Sequence, residues 1–237
     1  MRRLLEARNP TRLLDSGRVI KADRNRKIII LSTGTDSEVF VKLHHHSSPM
    51  ARLKSTLLGS RARRSHEKSE LLRDHALPGP CSLGFVDIFE HRSRASAHFS
   101  EVLPDGRTLA HVLAENPDSP LTESASKLIA ALHRRGLIHG DLKLTNLMVS
   151  ADNLFFVDLD GLRRSASRRR RARDIARFLV GLAESSADPS VTRASFTAYC
   201  QALGVPEAAL RDRVIAFARS FQKKHLAKYQ RPARPIL

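Results

Sequence analysis

The sequence of 237 residues predicts an α+β fold built from two lobes, a small β-rich N-terminal lobe with one helix and a larger, mainly helical C-terminal lobe. Two observations carry this prediction. Short segments rich in β-branched residues fill the chain as far as residue 103, whereas helical periodicity of apolar residues dominates from residue 104 onward. We therefore expect domains at 1–103 and 104–237, both within the usual size range of folded domains.

The N-terminal lobe is predicted to contain a sheet and a single helix. Its strands are predicted at 17–22, 27–31, 38–43, 84–89 and 97–103. In the third strand, alternation places Val39 and Val41 on one face and Lys42 on the opposite face. Helical periodicity covers residues 61–76, and Pro78-Gly79-Pro80 ends that helix. Lys42 is therefore expected on the face of the sheet opposite Val39 and Val41.

The C-terminal lobe is predicted to consist of helices that are interrupted once by extended chain. Its helices are predicted at 109–114, 124–135, 174–182 and 214–221. Gly136 stands where the second of these helices is expected to end. A loop and strand pair is expected at 137–149 and 154–161. Most of the polar residues that could carry chemistry lie in this interruption.

The chain is strongly basic, with 41 Lys and Arg residues against 24 Asp and Glu residues and a formal net charge of +17. The positive electrostatic potential of such a chain attracts nucleic acid, an anionic membrane or a phosphorylated substrate, and the net charge does not distinguish among these partners. Nucleic acid is not expected, because aromatic residues make up 5% of the chain, tryptophan is absent and few bases could stack. The runs Arg168 to Arg171 and Lys223-Lys224 are either solvated faces or contacts to anionic lipid.

Cysteine usage and apolar runs indicate the compartment. Cys81 and Cys200 are the two cysteines, too few for a disulfide framework, so a reducing compartment is expected. Residues 1–8 lack the apolar centre of a signal peptide. The longest apolar runs, such as 28–31 and 154–157, are far shorter than the roughly 18 residues that span a bilayer. These features predict a cytoplasmic protein.

The strongest chemical signal runs from His139 to Asn146 and is followed by Asp158 at the end of an apolar strand. Phosphoryl transfer from a nucleotide needs one carboxylate that orients the attacking hydroxyl, and an amide oxygen with a second carboxylate that hold Mg²⁺. Asp141, Asn146 and Asp158 fit these three duties. The five-residue step from Asp141 to Asn146 lets one loop present both side chains, and the spacing follows the kinase pattern of an HxD motif and a later Asp.

Further stretches accompany this motif, at 60–64, 71–72, 100–104, 137–142, 157–160 and 170–177. Together they resemble the protein-kinase-like superfamily, and within it the chain is most similar to the bacterial lipopolysaccharide core kinases, which phosphorylate heptose or Kdo sugars. The similarity extends from about residue 17 to residue 182. It implies the two-lobed protein-kinase-like fold and the cofactors ATP and Mg²⁺.

The resemblance also implies roles for residues of the N-terminal lobe. Lys42 would contact the α and β phosphates and pair with Glu67 of the helix, with Glu70 as the alternative partner. A carboxylate is needed there because an ammonium group beside phosphates must be held in place. A glutamate on a basic helix can equally be a surface ion-pair partner, so both interpretations of Glu67 stay open. Residues 101–103 would present backbone groups to adenine.

The chain departs from typical protein kinases in three ways. No GxGxxG motif lies between the first two strands, where Arg24, Asn25 and Arg26 stand instead. His-Gly-Asp replaces His-Arg-Asp at 139–141, and no Ala-Pro-Glu follows Asp158. Without a visible activation segment to dock a polypeptide, a sugar, a lipid-linked molecule or another small acceptor is favoured.

Several polar residues are expected to be structural. His139 is predicted to hold the loop by hydrogen bonds, since Asp141 already fills the position of general base. The run His44-His45-His46 is predicted to be a solvated turn and not a metal site, because consecutive side chains point in alternating directions. Asp160 is predicted to begin a turn. Asp174 is predicted either to support the catalytic loop or to cap its helix.

The resemblance implies an ATP- and Mg²⁺-dependent kinase that phosphorylates a sugar hydroxyl of lipopolysaccharide core, with peripheral attachment to the cytoplasmic face of the inner membrane. Two alternatives stay open. One is a kinase for another acceptor, such as an aminoglycoside, choline or a protein. The other is a catalytically silent scaffold that binds membrane or RNA, against which the set Lys42, Asp141, Asn146 and Asp158 argues.

Overall fold

The computed structural model describes residues 17–23, 25–32, 38–45, 50, 55, 57–90, 93–117, 119–186, 188–230 and 234–237. Helices and strands are mixed, and the N-terminal sheet is antiparallel. The α+β class is therefore confirmed at this level. The chain divides into two compact units, one ending at Leu103 and the other beginning at Pro104.

The first unit contains a five-stranded sheet in the order β1-β2-β3-β5-β4, in which all neighbours pair antiparallel. The strands are β1 (Arg18–Asp23), β2 (Arg26–Ser32), β3 (Glu38–His45), β4 (Ser82–Glu90) and β5 (Ser93–Glu101). One face forms the apolar core of this unit, in which Val41 and Leu43 of β3 pack with Ile29 and Phe99. Lys42 lies on the opposite face, since strand side chains alternate.

The histidine run departs from the sequence prediction. Strand β3 continues through His45, and His44 is buried with a relative exposure of 1%. The predicted solvated turn is therefore wrong for His44, because pairing continues there and sets His44 opposite Arg26 on one side and Ser96 on the other. His45 is exposed at the strand end, as alternation requires, and His46 lies outside the described residues.

Helix α1 (Arg61–Asp74) begins at the N-cap Ser60, whose Oγ accepts a hydrogen bond from the Arg63 N–H at 3.0 Å. It packs on the sheet through a polar chain. His66 Nδ1 lies 2.8 Å from Ser82 Oγ, which lies 2.9 Å from His98 Nε2. His98 is directly opposite Lys42 in the register of β3 and β5, so helix α1 covers the sheet face that carries the lysine.

The second unit is mainly helical. Its described helices are α2 (Leu109–Glu115), α3 (Leu121–Arg134), α4 (Arg168–Ser185), α5 (Pro189–Leu203) and α6 (Arg211–Tyr229). Strands β6 (Arg107–Thr108), β8 (Leu147–Ser150) and β9 (Asn153–Phe156) form one small sheet, and β7 (Leu137–Ile138) pairs with β10 (Arg163–Arg164). Among the described helices, none combines the length and apolar character that crossing a membrane requires.

Helix α3 begins three residues before the predicted 124, and helix α6 extends beyond the predicted 214–221 at both ends. Two larger differences from the sequence prediction are explained by helix caps. Helix α4 begins at Arg168, six residues earlier than expected, because Ser167 caps it by accepting from the Arg170 N–H at 3.4 Å. The arginine run therefore forms the first turn of a helix. Helix α5 was not predicted, although its signals are in the sequence: Asp188 caps it, Pro189 opens it, and Gly204 ends it with a φ of 76°.

A buried polar pair joins helices α3 and α5. His133 Nδ1 lies 2.7 Å from the Tyr199 hydroxyl, and both residues are fully buried. His133 Nε2 lies 3.5 Å from Asp174 Oδ2 of helix α4. Burial lowers the pKa of His133 below its ordinary value, and the opposing charge of Asp174 offsets this only in part. The imidazole is therefore held neutral inside the folded unit.

This buried histidine predicts a pH dependence of stability. Above a pH of about 6.5, where unfolded histidine is neutral as well, the full stability is present. Below that pH the unfolded state takes up a proton that folded His133 resists, so the free energy of unfolding falls by up to about 1.4 kcal/mol per pH unit. Urea titrations between pH 5 and 7.5 should show this loss. His133→Asn should remove only part of the slope, because buried His139 also has a lowered pKa, whereas the same change at exposed His111 should leave the slope intact. Equal slopes in all three proteins would refute the prediction.

Candidate functional site

The loop from Asp141 to Asn146 is folded on itself by three hydrogen bonds. The Lys143 N–H donates to the Asp141 carbonyl at 3.0 Å, and the Asn146 N–H donates to the Lys143 carbonyl at 2.9 Å. The Asn146 side chain closes the loop, because its Nδ2 donates to the Asp141 carbonyl at 2.8 Å. The sequence predicted that this five-residue step presents both side chains from one loop, and these bonds hold Asp141 and Asn146 at a fixed separation.

Asp174 of helix α4 anchors the start of this loop. Its Oδ2 accepts from the His139 N–H at 2.7 Å, and its Oδ1 accepts from the Gly140 N–H at 3.0 Å. The carboxylate has a relative exposure of only 3%, so these bonds compensate for a buried charge. Of the two roles predicted for Asp174, support of the loop is confirmed, while the capping role is wrong because Ser167 caps helix α4.

His139 ties the loop to the segment that leads to Asp158. Its Nε2 donates to the Val157 carbonyl at 3.1 Å, and the Val157 N–H donates to the Asn146 carbonyl at 3.0 Å. The ring is fully buried, and this burial lowers its pKa although Asp174 and the Val157 bond oppose the shift. A neutral histidine with a backbone partner holds structure, as the sequence predicted.

Asp158 itself has a left-handed backbone conformation, with φ 54° and ψ 57°. The left-handed conformation costs free energy for residues other than glycine, and such backbone strain is concentrated at functional sites. The exposed Asp158 immediately precedes the 3₁₀ turn Leu159–Gly161, which also contains the exposed Asp160. The predicted turn at Asp160 is therefore confirmed. The strain sets the direction in which the chain leaves strand β9.

Two glycines allow the loop that carries Asp141 and the segment that carries Asp158 to touch. Gly140 has a φ of 84°, and a Cβ there would lie 2.7 Å from the Gly161 carbonyl oxygen. A Cβ on Gly161 would lie 2.5 Å from the His139 carbonyl oxygen. Both distances are shorter than any real Cβ contact, so the two backbones pack directly. This explains why His-Gly-Asp stands here in place of His-Arg-Asp.

The polar groups predicted to hold a metal in this unit are an amide and a carboxylate. Asn146 Nδ2 donates to the Asp141 carbonyl, so the amide oxygen is directed away from that bond, and Asp158 carries an exposed carboxylate. Amide and carboxylate oxygens are the hard donors that Mg²⁺ prefers. No cluster of three or more His, Cys, Asp or Glu side chains suited to a metal occurs among the residues that the structure describes.

Lys143 contacts the candidate site and was not predicted from the sequence. Its Nζ lies 2.5 Å from Asp141 Oδ2, and both side chains are partly exposed. The available signal was a cation two residues after the motif aspartate, but the sequence does not show that the lysine turns back toward the carboxylate. The ammonium lies where it can neutralise charge beside Asp141.

The N-terminal site residues lie in the first unit. Lys42 is buried on the α1-covered face of the sheet, with 8% relative exposure. Glu67, whose side chain is 54% exposed, accepts from Arg63 Nε at 2.9 Å, and Glu70 contacts Arg73. Glu67 thus has the surface ion pair that was one of its two predicted interpretations. Its pairing with Lys42, or that of Glu70, stays a prediction.

The glycine contacts yield a test of the loop packing. Gly140→Ala should lower the free energy of unfolding by about 1–2 kcal/mol for the left-handed backbone, and by a further 1–3 kcal/mol or so for the contact with Gly161. Gly136 is a matched control, since its φ is 71° and a Cβ there meets nothing within 4 Å. Gly136→Ala should therefore show the backbone cost alone. Equal losses in the two variants, measured by urea unfolding, would contradict the close approach.

Three comparisons with known proteins bear on this site. Residues 102–202 match the model of the lipopolysaccharide kinase (Kdo/WaaP) family. The matched stretch contains the loop from His139 to Asn146, Asp158 and Asp174. A search of the curated proteins finds no match.

A solved structure of WaaP in complex with acyl carrier protein is similar over 94% of this chain and 95% of that one, with a TM-score of 0.68 and 17% sequence identity. At this identity the likeness shows the fold alone. In all, 1314 solved chains match, so the fold itself does not select a substrate. The family model agrees with the resemblance to the lipopolysaccharide core kinases, which is thereby confirmed, and the chain is accordingly a phosphotransferase that acts on a sugar hydroxyl.

Proposed function

We propose that this protein is an ATP- and Mg²⁺-dependent kinase with a two-lobed protein-kinase-like fold. It transfers the γ-phosphoryl group to a hydroxyl of heptose or Kdo in lipopolysaccharide core at the cytoplasmic face of the membrane. The observation that carries the proposal is that hydrogen bonds within one unit tie Asp141 and Asn146 together and hold Val157, the residue before Asp158, against the same loop. Kinase-catalysed phosphoryl transfer depends mainly on positioning and charge neutralisation, and this arrangement serves both.

Asp141 has the central role in the proposed reaction. Its carboxylate orients the acceptor hydroxyl for in-line attack and takes up the proton as the new O–P bond forms. The loop bonds support this role because they hold its backbone carbonyl from two directions, through Lys143 and Asn146. The Lys143 ammonium, 2.5 Å from Asp141, adds positive charge where phosphate oxygens gain negative charge.

Asn146 and Asp158 are proposed to hold the metal, and Lys42 is proposed to contact the α and β phosphates. When bound, Mg²⁺ neutralises the phosphate oxygens and stabilises the charge that develops during transfer. The preset orientation of the Asn146 amide and the left-handed backbone at Asp158 support the first assignment. A buried lysine on the face that α1 covers supports the second, with Glu67 or Glu70 as its proposed carboxylate partner.

The role of Asp141 predicts a separation of binding from chemistry. Asp141→Asn should lower the transfer rate by a factor of about 10²–10⁴, because the hydroxyl loses its proton acceptor, while ATP affinity stays nearly unchanged. Steady-state turnover and ATP titration measure the two quantities. Asp152→Asn is the matched control, an exposed turn residue in the same unit, and should keep full turnover. A variant Asp141→Asn with wild-type turnover would show that the assignment is wrong.

The role of Lys42 predicts its effect on nucleotide binding. At 100 times the dissociation constant, Mg-ATP should stabilise the wild-type protein by about 2.7 kcal/mol. Lys42→Met should abolish most of this gain, whereas Lys21→Met, at an exposed position of β1, should preserve it. Thermal unfolding with and without Mg-ATP gives the comparison. Absence of any stabilisation in the wild-type protein would favour the silent scaffold instead.

A comparison of the lipopolysaccharide from cells with and without the gene tests whether the core is the acceptor. Mass spectrometry of the core should show one phosphate fewer when the gene is deleted, and complementation with the wild-type gene should restore it. Complementation with the Asp141→Asn variant should fail. An unchanged core in the deletion strain would exclude this acceptor and favour a kinase for another small molecule or a protein.

A further inference from the structure

The second half of helix α6 packs on helix α4 through a connected series of polar and aromatic side chains. The guanidinium of Arg177 lies 5.3 Å from the centre of the Phe221 ring, and its Nη1 lies 2.5 Å from His225 Nε2. His225 Nδ1 is bonded to Glu184, and the His225 ring meets the Tyr229 ring edge-on, with 5.6 Å between the ring centres. The side chains of Arg177 and Tyr229 are therefore positioned through the same histidine.

His225 restrains Arg177 without occupying it. A guanidinium only donates hydrogen bonds, so Nε2 of His225 accepts from Arg177 and Nδ1 donates to Glu184. Of the five N–H donors of Arg177, the described residues take up one. The ring of Phe221 further limits the motion of the guanidinium, which reduces the entropy that is lost when an anion binds.

The side of α4 that carries Arg177 also carries the contacts to the loop of Asp141. Asp174, nearly one turn before Arg177, accepts from the first N–H groups of that loop. One turn after Arg177, a Cβ on Gly181 would lie 2.9 Å from Leu144 Cγ, so the loop packs closely on the helix there. Arg177 thus lies between two points at which α4 touches the loop.

Tyr229 lies near the exposed part of the same loop. The pKa of its phenol is lowered most strongly by a hydrogen bond with Lys228, and the charges of Arg177 and Lys143 lower it further. Lys143 is the residue whose Nζ lies 2.5 Å from Asp141 Oδ2. Tyr229 is 51% exposed, and the side chains of Lys143 and Asp141 are 42% and 46% exposed, so a ligand has access to all three.

These groups match the chemistry of an acidic sugar. Neither Arg177 nor Lys228 forms an ion pair with a carboxylate among the residues that the structure describes. Two such cations bind a carboxylate or a phosphate well. The exposed ring of Tyr229 offers a flat apolar surface on which the C–H face of a sugar ring can pack. A site that combined the cations with no aromatic ring would suit a simple anion equally well.

We propose that Arg177, Lys228 and Tyr229 form a subsite for an acidic sugar of the acceptor, with the sugar ring packed on Tyr229 and its carboxylate or phosphate group bound by the two cations. The inference rests on the proposed function, because the subsite would place a sugar hydroxyl near Asp141. It adds the residues that select the acceptor, which neither the metal site nor the phosphate-binding lysine supplies.

The aromatic contact is tested by the kinetics of transfer to core oligosaccharide freed of its lipid. Tyr229→Ala should raise the KM for the oligosaccharide about tenfold, because the stacking surface is lost. The kcat and the KM for ATP should stay within about threefold, since Asp141 and the nucleotide site are unchanged. Tyr229→Phe retains the ring and should restore the KM for the oligosaccharide. An unchanged KM in Tyr229→Ala would overturn the subsite.

The charged contact is tested by calorimetric binding of the same oligosaccharide without nucleotide. Carboxyl reduction of the oligosaccharide removes its carboxylates, and dephosphorylation removes its phosphates. The treatment that removes the bound group should weaken binding to the wild-type protein about tenfold. The double variant Arg177→Gln with Lys228→Gln should respond less than threefold, because the matching charges are already absent. Lys228→Gln alone, at an exposed position, should weaken binding of the untreated oligosaccharide about three- to fivefold.

The matched control removes one arginine and one lysine from another side of α6. Arg219→Gln with Lys223→Gln changes two exposed residues that lie away from the buried Val214 and Ala218, and should leave binding within about threefold. Thermal unfolding verifies that each variant is folded. Equal losses in the two double variants, an undiminished response of the first one to both treatments, or absence of binding to the wild-type protein would overturn the subsite. A wild-type protein that binds the oligosaccharide with this pattern but transfers no phosphate would contradict the proposed function alone.

Discussion

The structure of the second unit depends on one buried carboxylate. Asp174 accepts hydrogen bonds from the backbone of His139 and Gly140, and His133 approaches it from the other side. A charge without such partners would be costly to bury. The carboxylate and the loop therefore stabilise each other. The loop N–H groups provide hydrogen bonds to the buried charge, and these bonds fix where the loop begins. Because Asp141 follows directly, its position is set by a residue of helix α4.

The segment that carries Asp158 is joined to this loop by contacts that leave little freedom. His139 reaches the Val157 carbonyl, and Gly140 and Gly161 approach so closely that neither tolerates a Cβ. The left-handed conformation at Asp158 is stabilised by these surroundings, since an isolated aspartate would relax to a more common one. The metal-binding carboxylate and the proton-accepting carboxylate are thus proposed to be positioned by one rigid backbone assembly.

Prediction from the sequence succeeded where spacing along the chain sets the geometry. The Asp141 to Asn146 step closes within one loop, and the strand alternation places Lys42 opposite Val41. It failed where contacts distant in sequence decide. Nothing in the local pattern shows that His44 extends strand β3 or that Lys143 turns back onto its neighbour. Signals for helix α5 were present at its caps but weak in its interior, where small and polar residues interrupt the apolar periodicity.

Phosphoryl transfer to a core sugar can be measured with purified protein, γ-labelled ATP, Mg²⁺ and dephosphorylated lipopolysaccharide core. We expect the core oligosaccharide to gain one labelled phosphate on a heptose or Kdo residue, and the label to stay in ATP with the Asp141→Asn variant. A wild-type protein that binds ATP but leaves the core unlabelled, or an Asp141→Asn variant that labels the core equally well, would exclude the proposed reaction.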